Sequence, residues 1–129
     1  MKYLIADDEP LILKGTYYEV REVLGEEAEI YLANSAKEAL QYVEENRSEI
    51  TGEGIQIAFL DVDMPGMSGI EAAEQIRQIS PQTKIVFVTG HSEKEIHARA
   101  GREDVIVLMK PASRRHLCEM LKTIGFPMP

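Results

Sequence analysis

The sequence has little cysteine, an acidic charge balance and no long apolar run. Its single cysteine, Cys118, excludes both a disulfide framework and a zinc site built from several thiolates. Fourteen lysines and arginines stand against 22 aspartates and glutamates, which gives a formal net charge of −8. Because a surface that binds duplex nucleic acid is normally basic, we expect no direct nucleic-acid contact by this domain.

Membrane and export signals are also missing from the sequence. No apolar stretch approaches the roughly 20 residues that span a bilayer. The amino terminus becomes acidic at Asp7 and Asp8, too early for a signal peptide. The chain has 129 residues, of which 44% are apolar, so it can bury the core of one domain. These features predict a soluble, cytoplasmic domain.

Short apolar runs alternate with longer amphipathic segments along the whole chain. Several of the short runs are apolar on both faces and rich in β-branched residues, which is typical of strands covered by helices on both sides. The five predicted strands are 3–6, 28–32, 55–60, 84–88 and 105–109. Helical periodicity marks a segment after each of them. The fourth predicted helix, 93–102, is short and has little beyond Ile96 and two alanines to bury.

Five alternating strands and helices predict an α/β fold with right-handed crossovers and a parallel sheet. In such sheets, ligands bind beyond the carboxyl ends of the strands. The polar residues at those ends are Asp7 and Asp8 after the first strand, Asp61 after the third, Thr89 after the fourth and Lys110 after the fifth.

Each of these residues alone could be an ordinary cap, turn or loop residue. Their joint position at one edge of a sheet indicates specific chemistry. Converging carboxylates repel one another unless a hard cation such as Mg²⁺ is bound, and a carboxylate beside Mg²⁺ can attack phosphorus. The Lys110 ammonium and the Thr89 hydroxyl could hold the phosphoryl oxygens. The pattern predicts an aspartyl-phosphate site.

Four segments carry a family resemblance. They are LIADDEP at 4–10, FLDVDMPGMSG at 59–69, VFVTG at 86–90 and MKP at 109–111. Together they resemble the receiver domain of two-component response regulators over essentially the whole chain. The resemblance implies a flavodoxin-like doubly wound sheet of five parallel strands in the order 2-1-3-4-5, with five helices.

The resemblance also implies roles for individual residues. Asp61 would accept the phosphoryl group, and Thr89 and Lys110 would contact it. The Lys110–Pro111 peptide is expected to be cis, and Asp63 and His91 are expected to flank the path of the water that hydrolyses the acyl phosphate. The implied Mg²⁺ ligands are Asp8, Asp61, the main-chain carbonyl of Asp63 and, through water, Asp7.

Partners follow from the same resemblance. A sensor histidine kinase would donate the phosphoryl group, and an output domain after this sequence would respond to it. The receiver domain is assigned to 1–124, with 125–129 as a carboxyl-terminal tail or the start of a linker. Asp63 and the run 86–89 resemble receivers attached to LytTR-type DNA-binding domains, which favours transcription regulation as the output. Homodimerisation on phosphorylation is left open.

Three features depart from the family pattern. Val107 stands where the family usually carries an aromatic switch residue, and Ala112 stands where a bulky apolar residue is common. The link 46–54 is longer than usual, which predicts an extended second helix or a protruding loop. These departures affect the mode of output and remove no reactive group.

A phosphatase of the haloacid-dehalogenase type is the alternative function. Such enzymes also carry an aspartyl nucleophile in an Asp-x-Asp motif, as at Asp61 and Asp63, with a Thr and a Lys on other strands. Their fifth motif position is usually Thr or Val, where this chain has Pro65, and their acidic metal pair comes late in the chain. A receiver hydrolyses only its own phosphoryl group, so we do not expect an enzyme with turnover. A pseudo-receiver used only for docking is disfavoured, because all five expected site residues are present.

Overall fold

A parallel sheet of five strands forms the centre of the computed structural model, which describes residues 1–127. The sheet order is β2-β1-β3-β4-β5, which confirms the predicted α/β fold and its strand order. The strands are β1 (Lys2–Ala6), β2 (Glu29–Ala33), β3 (Ile55–Asp61), β4 (Lys84–Thr89) and β5 (Val107–Met109).

Helices cover both faces of this sheet. The five predicted helices are present, and a single helical turn, α3, is added between the second and third of them. Among the described residues, no helix combines the length and the apolar character that crossing a membrane requires. The helices are α1 (Pro10–Leu24), α2 (Ala36–Glu45), α3 (Ser48–Thr51), α4 (Gly69–Ile79), α5 (Glu93–Ala100) and α6 (Arg114–Thr123).

The long link before β3 forms the separate turn α3, and α2 is not extended. Asn46 follows the last residue of α2, and its side-chain amide donates a hydrogen bond to the carbonyl of Tyr42 at 2.9 Å. Gly52 ends α3 with a left-handed backbone, φ 82°, a conformation that glycine adopts without steric penalty. The insertion is thus folded locally and leads into the amino end of β3, whereas Asp61 lies at the carboxyl end of that strand.

Side chains of the three central strands alternate between two apolar cores, as the two-residue period of a strand requires. One core lies under α1 and α6, and the other lies under α2, α4 and α5. Fully burying one of these large side chains contributes about 1.5–3 kcal/mol. Residues facing the first core include Tyr3, Ile5, Ile57, Phe59, Val86 and Val88, and those facing the second include Leu4, Ala6, Ala58, Leu60, Ile85 and Phe87.

The last strand is shorter than the sequence predicts. β5 begins at Val107, two residues later than the predicted start, and its pairing with β4 covers Val107 to Met109. The carbonyl of Ile106 still accepts the N–H of Phe87 at 2.9 Å. At the carboxyl terminus, Phe126 is buried against Tyr3 with ring centroids 6.1 Å apart. The predicted domain end at 124 stays a prediction, and residues 128–129 of the predicted tail lie outside the described residues.

Serine side chains cap four helices at their amino ends. Ser68 forms the complete capping box with Glu71. Ser35 and Ser92 accept the expected backbone N–H, but the glutamates at their N3 positions turn elsewhere. Glu38 accepts the N–H of Asn34, and Glu95 contacts a histidine described below. The fourth cap is Ser113 at the start of α6.

Gly69 brings the start of α4 against the backbone of β3. Its N–H donates to the carbonyl of Val62 at 2.9 Å. A Cβ atom at this position would overlap the carbonyl oxygen of Asp61. The Gly at the end of the Met-Ser-Gly sequence is therefore required by the close approach of two backbones beside Asp61.

Replacing Gly69 with alanine is expected to destabilise the domain by roughly 1–3 kcal/mol, because two backbone segments must separate to admit the methyl group. Gly15→Ala is the matched control: Gly15 lies inside α1, and no atom lies within 4 Å of its added Cβ. That change should stabilise the domain by about 0.5–1 kcal/mol. Urea unfolding of both variants measures the difference, and a stabilised Gly69→Ala protein would contradict the proposed contact.

Candidate functional site

Three carboxylates converge at the carboxyl ends of two neighbouring strands. Asp7 and Asp8 follow β1, and Asp61 is the last residue of β3. The two strands are parallel neighbours, with Ala6 opposite Leu60, so their ends lie side by side. One carboxylate oxygen from each aspartate lies within 4.8 Å of the others. The structure therefore brings together the acidic residues that the sequence places at this edge.

The Lys110 ammonium lies between two of these carboxylates. Its Nζ atom is 2.9 Å from Asp61 Oδ1 and 3.0 Å from Asp7 Oδ2. The backbone N–H of Lys110 donates to the carbonyl of Thr89 at 2.8 Å, which fixes the lysine to the end of β4. The peptide that follows, Lys110–Pro111, is cis, as predicted. Lys110 thus links the three strand ends that carry the site.

The surroundings of Asp61 disfavour its charged form. Burial raises the pKa of its carboxyl group, and the Asp7 charge raises it further, although the hydrogen bond from Lys110 opposes both effects. Burial by itself would lower the pKa of Lys110, but the hydrogen bonds to Asp61 and Asp7 raise it above its ordinary value. The lysine is therefore firmly charged, whereas the charge of the Asp61 carboxylate is only partly compensated.

Asp7 also has a structural task in this arrangement. Its second oxygen, Oδ1, accepts the N–H of Glu9 at 2.9 Å, where Glu9 precedes α1 and offers no side-chain cap. One carboxylate thus accepts a hydrogen bond at the entrance to the helix and contacts Lys110. Asp7 therefore combines a contact typical of a helix cap with a contact to Lys110 at the convergence point.

The fourth strand delivers a hydroxyl group to the same edge. Thr89 ends β4, next to the end of β3, and is only 1% exposed. Its Oγ1 atom accepts the N–H of His91 at 3.0 Å. The hydroxyl hydrogen is left to donate to another acceptor.

The donor set fits a hard divalent cation. Three carboxylates and one ammonium leave two negative charges uncompensated among buried and half-buried groups. All available donors at the convergence point are oxygens, which Mg²⁺ prefers, and Asp8 adds a half-buried carboxylate open to a ligand. The residues present therefore suit Mg²⁺ by charge and by atom type.

A second polar cluster lies around Asp63, two residues after Asp61. His91 Nε2 is 2.5 Å from Asp63 Oδ2, and His91 Nδ1 is 2.8 Å from Glu95 Oε2. Arg99 Nη1 lies 3.4 Å from the other oxygen of Asp63. Glu95 and Arg99 are absent from the sequence-based site. Their spacing of four residues indicates only a shared helix face, and no sequence signal specifies Asp63 as the common neighbour.

The comparisons with known proteins agree with this geometry. Residues 3–122 match the family model described as the response regulator receiver domain. The match covers nearly the whole chain, and the chain belongs to this family of signalling phosphoacceptor domains. No support is found for the haloacid-dehalogenase alternative.

Two curated relatives are regulators of larger size. The transcriptional activator protein ExaE of Pseudomonas putida is 36% identical over 93 residues, covering 72% of this chain and 40% of that protein. The sensory transduction protein LytR of Staphylococcus haemolyticus is 32% identical over 98 residues, covering 76% of this chain and 35% of that protein. The chain thus spans two fifths or less of the length of these relatives.

Solved structures show the same fold. A CheY-like response regulator receiver domain protein from Methanospirillum hungatei is 29% identical, with a TM-score of 0.72, and the match covers 95% of this chain and 91% of that one. The receiver domain of the histidine kinase CKI1 from Arabidopsis thaliana, complexed with Mg²⁺, is 27% identical with a TM-score of 0.77. That match covers 95% of this chain and 90% of that chain.

Replacing Asp61 with asparagine is expected to stabilise the folded protein at neutral pH by roughly 1 kcal/mol, because a buried, incompletely compensated charge is removed. The folded pKa of Asp61 is raised, so the stability that this group contributes is present below its ordinary pKa and is lost as pH rises through the folded value. The advantage of Asp61→Asn should therefore be absent in acid and appear as the pH approaches neutrality.

Thermal unfolding of the parent and the Asp61→Asn protein across this pH range measures the effect. Glu27→Gln serves as the control, since Glu27 is an exposed acid remote from the site. Added Mg²⁺ should raise the melting temperature of the parent more than that of Asp61→Asn. A destabilised Asp61→Asn protein at neutral pH would show that the site holds the carboxylate more favourably than we infer.

Proposed function

We propose that this chain is the phosphoryl-accepting domain of a two-component response regulator, with Asp61 as the acceptor. The observation that carries the proposal is the convergence of Asp7, Asp8 and Asp61 around the Lys110 ammonium. In the reaction, a carboxylate oxygen of Asp61 attacks the phosphorus of a kinase phosphohistidine. The phosphorus–nitrogen bond breaks, its electron pair stays on the ring nitrogen, and the donor leaves as a neutral imidazole because its other ring nitrogen already carries a proton.

The chain supplies the metal ligands for this reaction. Asp8, Asp61 and the main-chain carbonyl of Asp63 would hold Mg²⁺ directly, and Asp7 would hold it through water. Bound Mg²⁺ would neutralise charge on the phosphoryl oxygens and on the attacking carboxylate. The buried position of Asp61 supports the proposal, because its partly compensated charge gains most from a cation nearby.

Lys110 and Thr89 would hold the transferred group. The ammonium already lies 2.9 Å from the acceptor oxygen, so it can move to a phosphoryl oxygen with a small displacement. The Thr89 hydroxyl accepts one hydrogen bond from His91 and can donate another to a second phosphoryl oxygen. Both groups favour the charged acyl phosphate.

We infer that the domain acts once per phosphoryl group and does not turn over an external substrate. Its own acyl phosphate would be hydrolysed by water that passes the Asp63–His91 pair, which stands beside the acceptor. A sensor histidine kinase is the proposed donor, and the cytoplasm is the proposed compartment. Since the named relatives are longer regulators, the proposed output is a carboxyl-terminal domain that controls transcription, with dimerisation on phosphorylation as an accompanying event.

Incubation with Mg²⁺ and acetyl phosphate should add one acid-labile phosphoryl group to the protein. Asp61→Asn and Asp61→Ala should abolish this label, and Asp8→Ala should raise the Mg²⁺ concentration that labelling requires by roughly tenfold or more. Intact-mass measurement follows the added group. Labelling of Asp61→Asn at the full parental rate would exclude Asp61 as the acceptor.

Val107 limits how phosphorylation of Asp61 can change the conformation of the rest of the domain. It is half-buried in β5, where the family usually has an aromatic switch residue, and its β-branched side chain is too short and stiff to exchange a buried for an exposed position. An open groove of about 290 Å³ beside it is lined by Val107, Met109, His116 and Met120. We therefore infer that backbone and helix movements transmit the phosphorylated state.

Val107→Tyr is expected to change the conformational response without abolishing phosphorylation, because the groove has room for a ring and Asp61 is untouched. The largest phosphorylation-induced changes in amide exchange of the parent should fall in 90–104. Val107→Ile is the matched control, since it keeps the branched side chain. Changes confined to the surroundings of Val107, with 90–104 unaffected, would contradict this route.

A further inference from the structure

Helix α5 is held to the domain by few apolar contacts. Of its eight residues, all within the described part of the chain, only Ile96 is buried. Burial of a single large side chain contributes about 1.5–3 kcal/mol, and helices this short are not stable by themselves. Polar contacts at the ends of α5 therefore have a large share in fixing its position.

The polar cluster beside the acceptor supplies such contacts. We call Asp63, His91, Glu95 and Arg99 the His91 clasp. Glu95 in the first turn of α5 holds one ring nitrogen of His91, and Asp63 holds the other. Arg99, one turn further along α5, reaches the second Asp63 oxygen. Two residues of α5 are thus tied to one carboxylate in the loop after β3.

Glu95 enters the clasp at the expense of its capping role. Ser92 accepts the Glu95 N–H at 3.1 Å, as in a capping box. The Glu95 carboxylate, however, lies at His91, whereas Glu71 in α4 completes its box by bonding the N–H of Ser68. The side chain that could close the start of α5 locally instead connects the helix to the acceptor loop.

Both ends of the clasp lie next to the residues that would bind the phosphoryl group. Asp63 stands two residues after Asp61 in the loop after β3, and the backbone N–H of His91 donates to Thr89 Oγ1. The His91 hydrogen bond, with the Arg99 charge, lowers the pKa of Asp63, so Asp63 presents a full negative charge. A phosphoryl group on Asp61 would add further negative charge next to it.

Resting on the proposed function, we propose that the His91 clasp couples the phosphorylation state of Asp61 to the position of α5. The added phosphoryl charge repels the Asp63 carboxylate, which Arg99 holds in the clasp, and it competes with Asp63 for the His91 ring N–H, because phosphoryl oxygens are strong hydrogen-bond acceptors. A Thr89 hydroxyl that turns toward the phosphoryl group also releases the His91 N–H. Both changes free the first turns of α5. The clasp thus transmits the phosphorylated state to α5, which the Val107 side chain cannot do.

Weakening the clasp from the α5 side tests the coupling, and beryllofluoride with Mg²⁺ serves as a stable analogue of the phosphoryl group. Coupling is reciprocal, so Glu95→Gln and Arg99→Gln should each bind beryllofluoride about two- to fivefold more tightly than the parent, the range that exposed ion pairs support. Amide exchange in 93–100 should be faster in the unmodified variants. It should increase less on beryllofluoride binding than in the parent.

Two controls on the same helix match these changes. Glu93→Gln removes an equivalent contact to a histidine four residues away, His97, outside the clasp. Lys94→Gln removes an exposed positive charge. Both should bind beryllofluoride with parental affinity and keep the full exchange response of α5.

Equal affinities and equal exchange responses in all four variants would overturn the clasp while leaving Asp61 phosphorylation intact. Failure of the parent to form an acyl phosphate or to bind beryllofluoride would overturn the proposed function itself. Parental beryllofluoride affinity in Glu95→Asp, which keeps the carboxylate, would support the contact with His91. Weaker beryllofluoride binding by Glu95→Gln than by the parent would reverse the direction of the coupling and overturn the proposal.

Discussion

The Lys110 ammonium between Asp7 and Asp61 is the contact on which the acidic edge of the sheet depends. Two buried carboxylates at neighbouring strand ends repel each other strongly where water is scarce. A single cation 2.9 and 3.0 Å from them offsets this repulsion and joins the ends of β1, β3 and β5. The hydrogen bond from the Lys110 backbone to Thr89 brings the end of β4 into the same unit. The geometry of the site therefore depends directly on the register of its strands.

That compensation is incomplete, and its incompleteness has a chemical use. Three carboxylates face one ammonium, and burial keeps the pKa of Asp61 raised. A fully neutralised cluster would be more stable, but it would attract neither a cation nor a phosphoryl group that arrives together with Mg²⁺. The proposed reaction thus takes place at a site whose charge is incompletely compensated, which agrees with the tendency of functional sites to hold perturbed groups.

Stability is distributed unevenly around this site. Four longer helices cover the sheet with two to four buried residues each. Helix α4 also closes its first turn with a full capping box, and its first residue packs against the backbone of Asp61. By contrast, α5 buries only Ile96 and contacts Asp63, the residue two positions after Asp61, through Arg99. A helix held by charges near a site whose charge changes is a natural place for a structural response.

The sequence by itself predicted the α/β class, the alternation of strands and helices, and the polar residues at the strand ends, because strand periodicity and helix caps are local properties of the chain. Family resemblance added the strand order and the cis Lys110–Pro111 peptide, and both are confirmed. Tertiary structure alone decided the partners of these residues. The packing of β5 against the sheet decides that Lys110 contacts both Asp7 and Asp61. The packing of α5 decides that Arg99 contacts Asp63 directly and that Glu95 is connected to Asp63 through His91. Local patterns fix which side chains a segment carries, whereas contacts between distant segments exist only after the chain has folded.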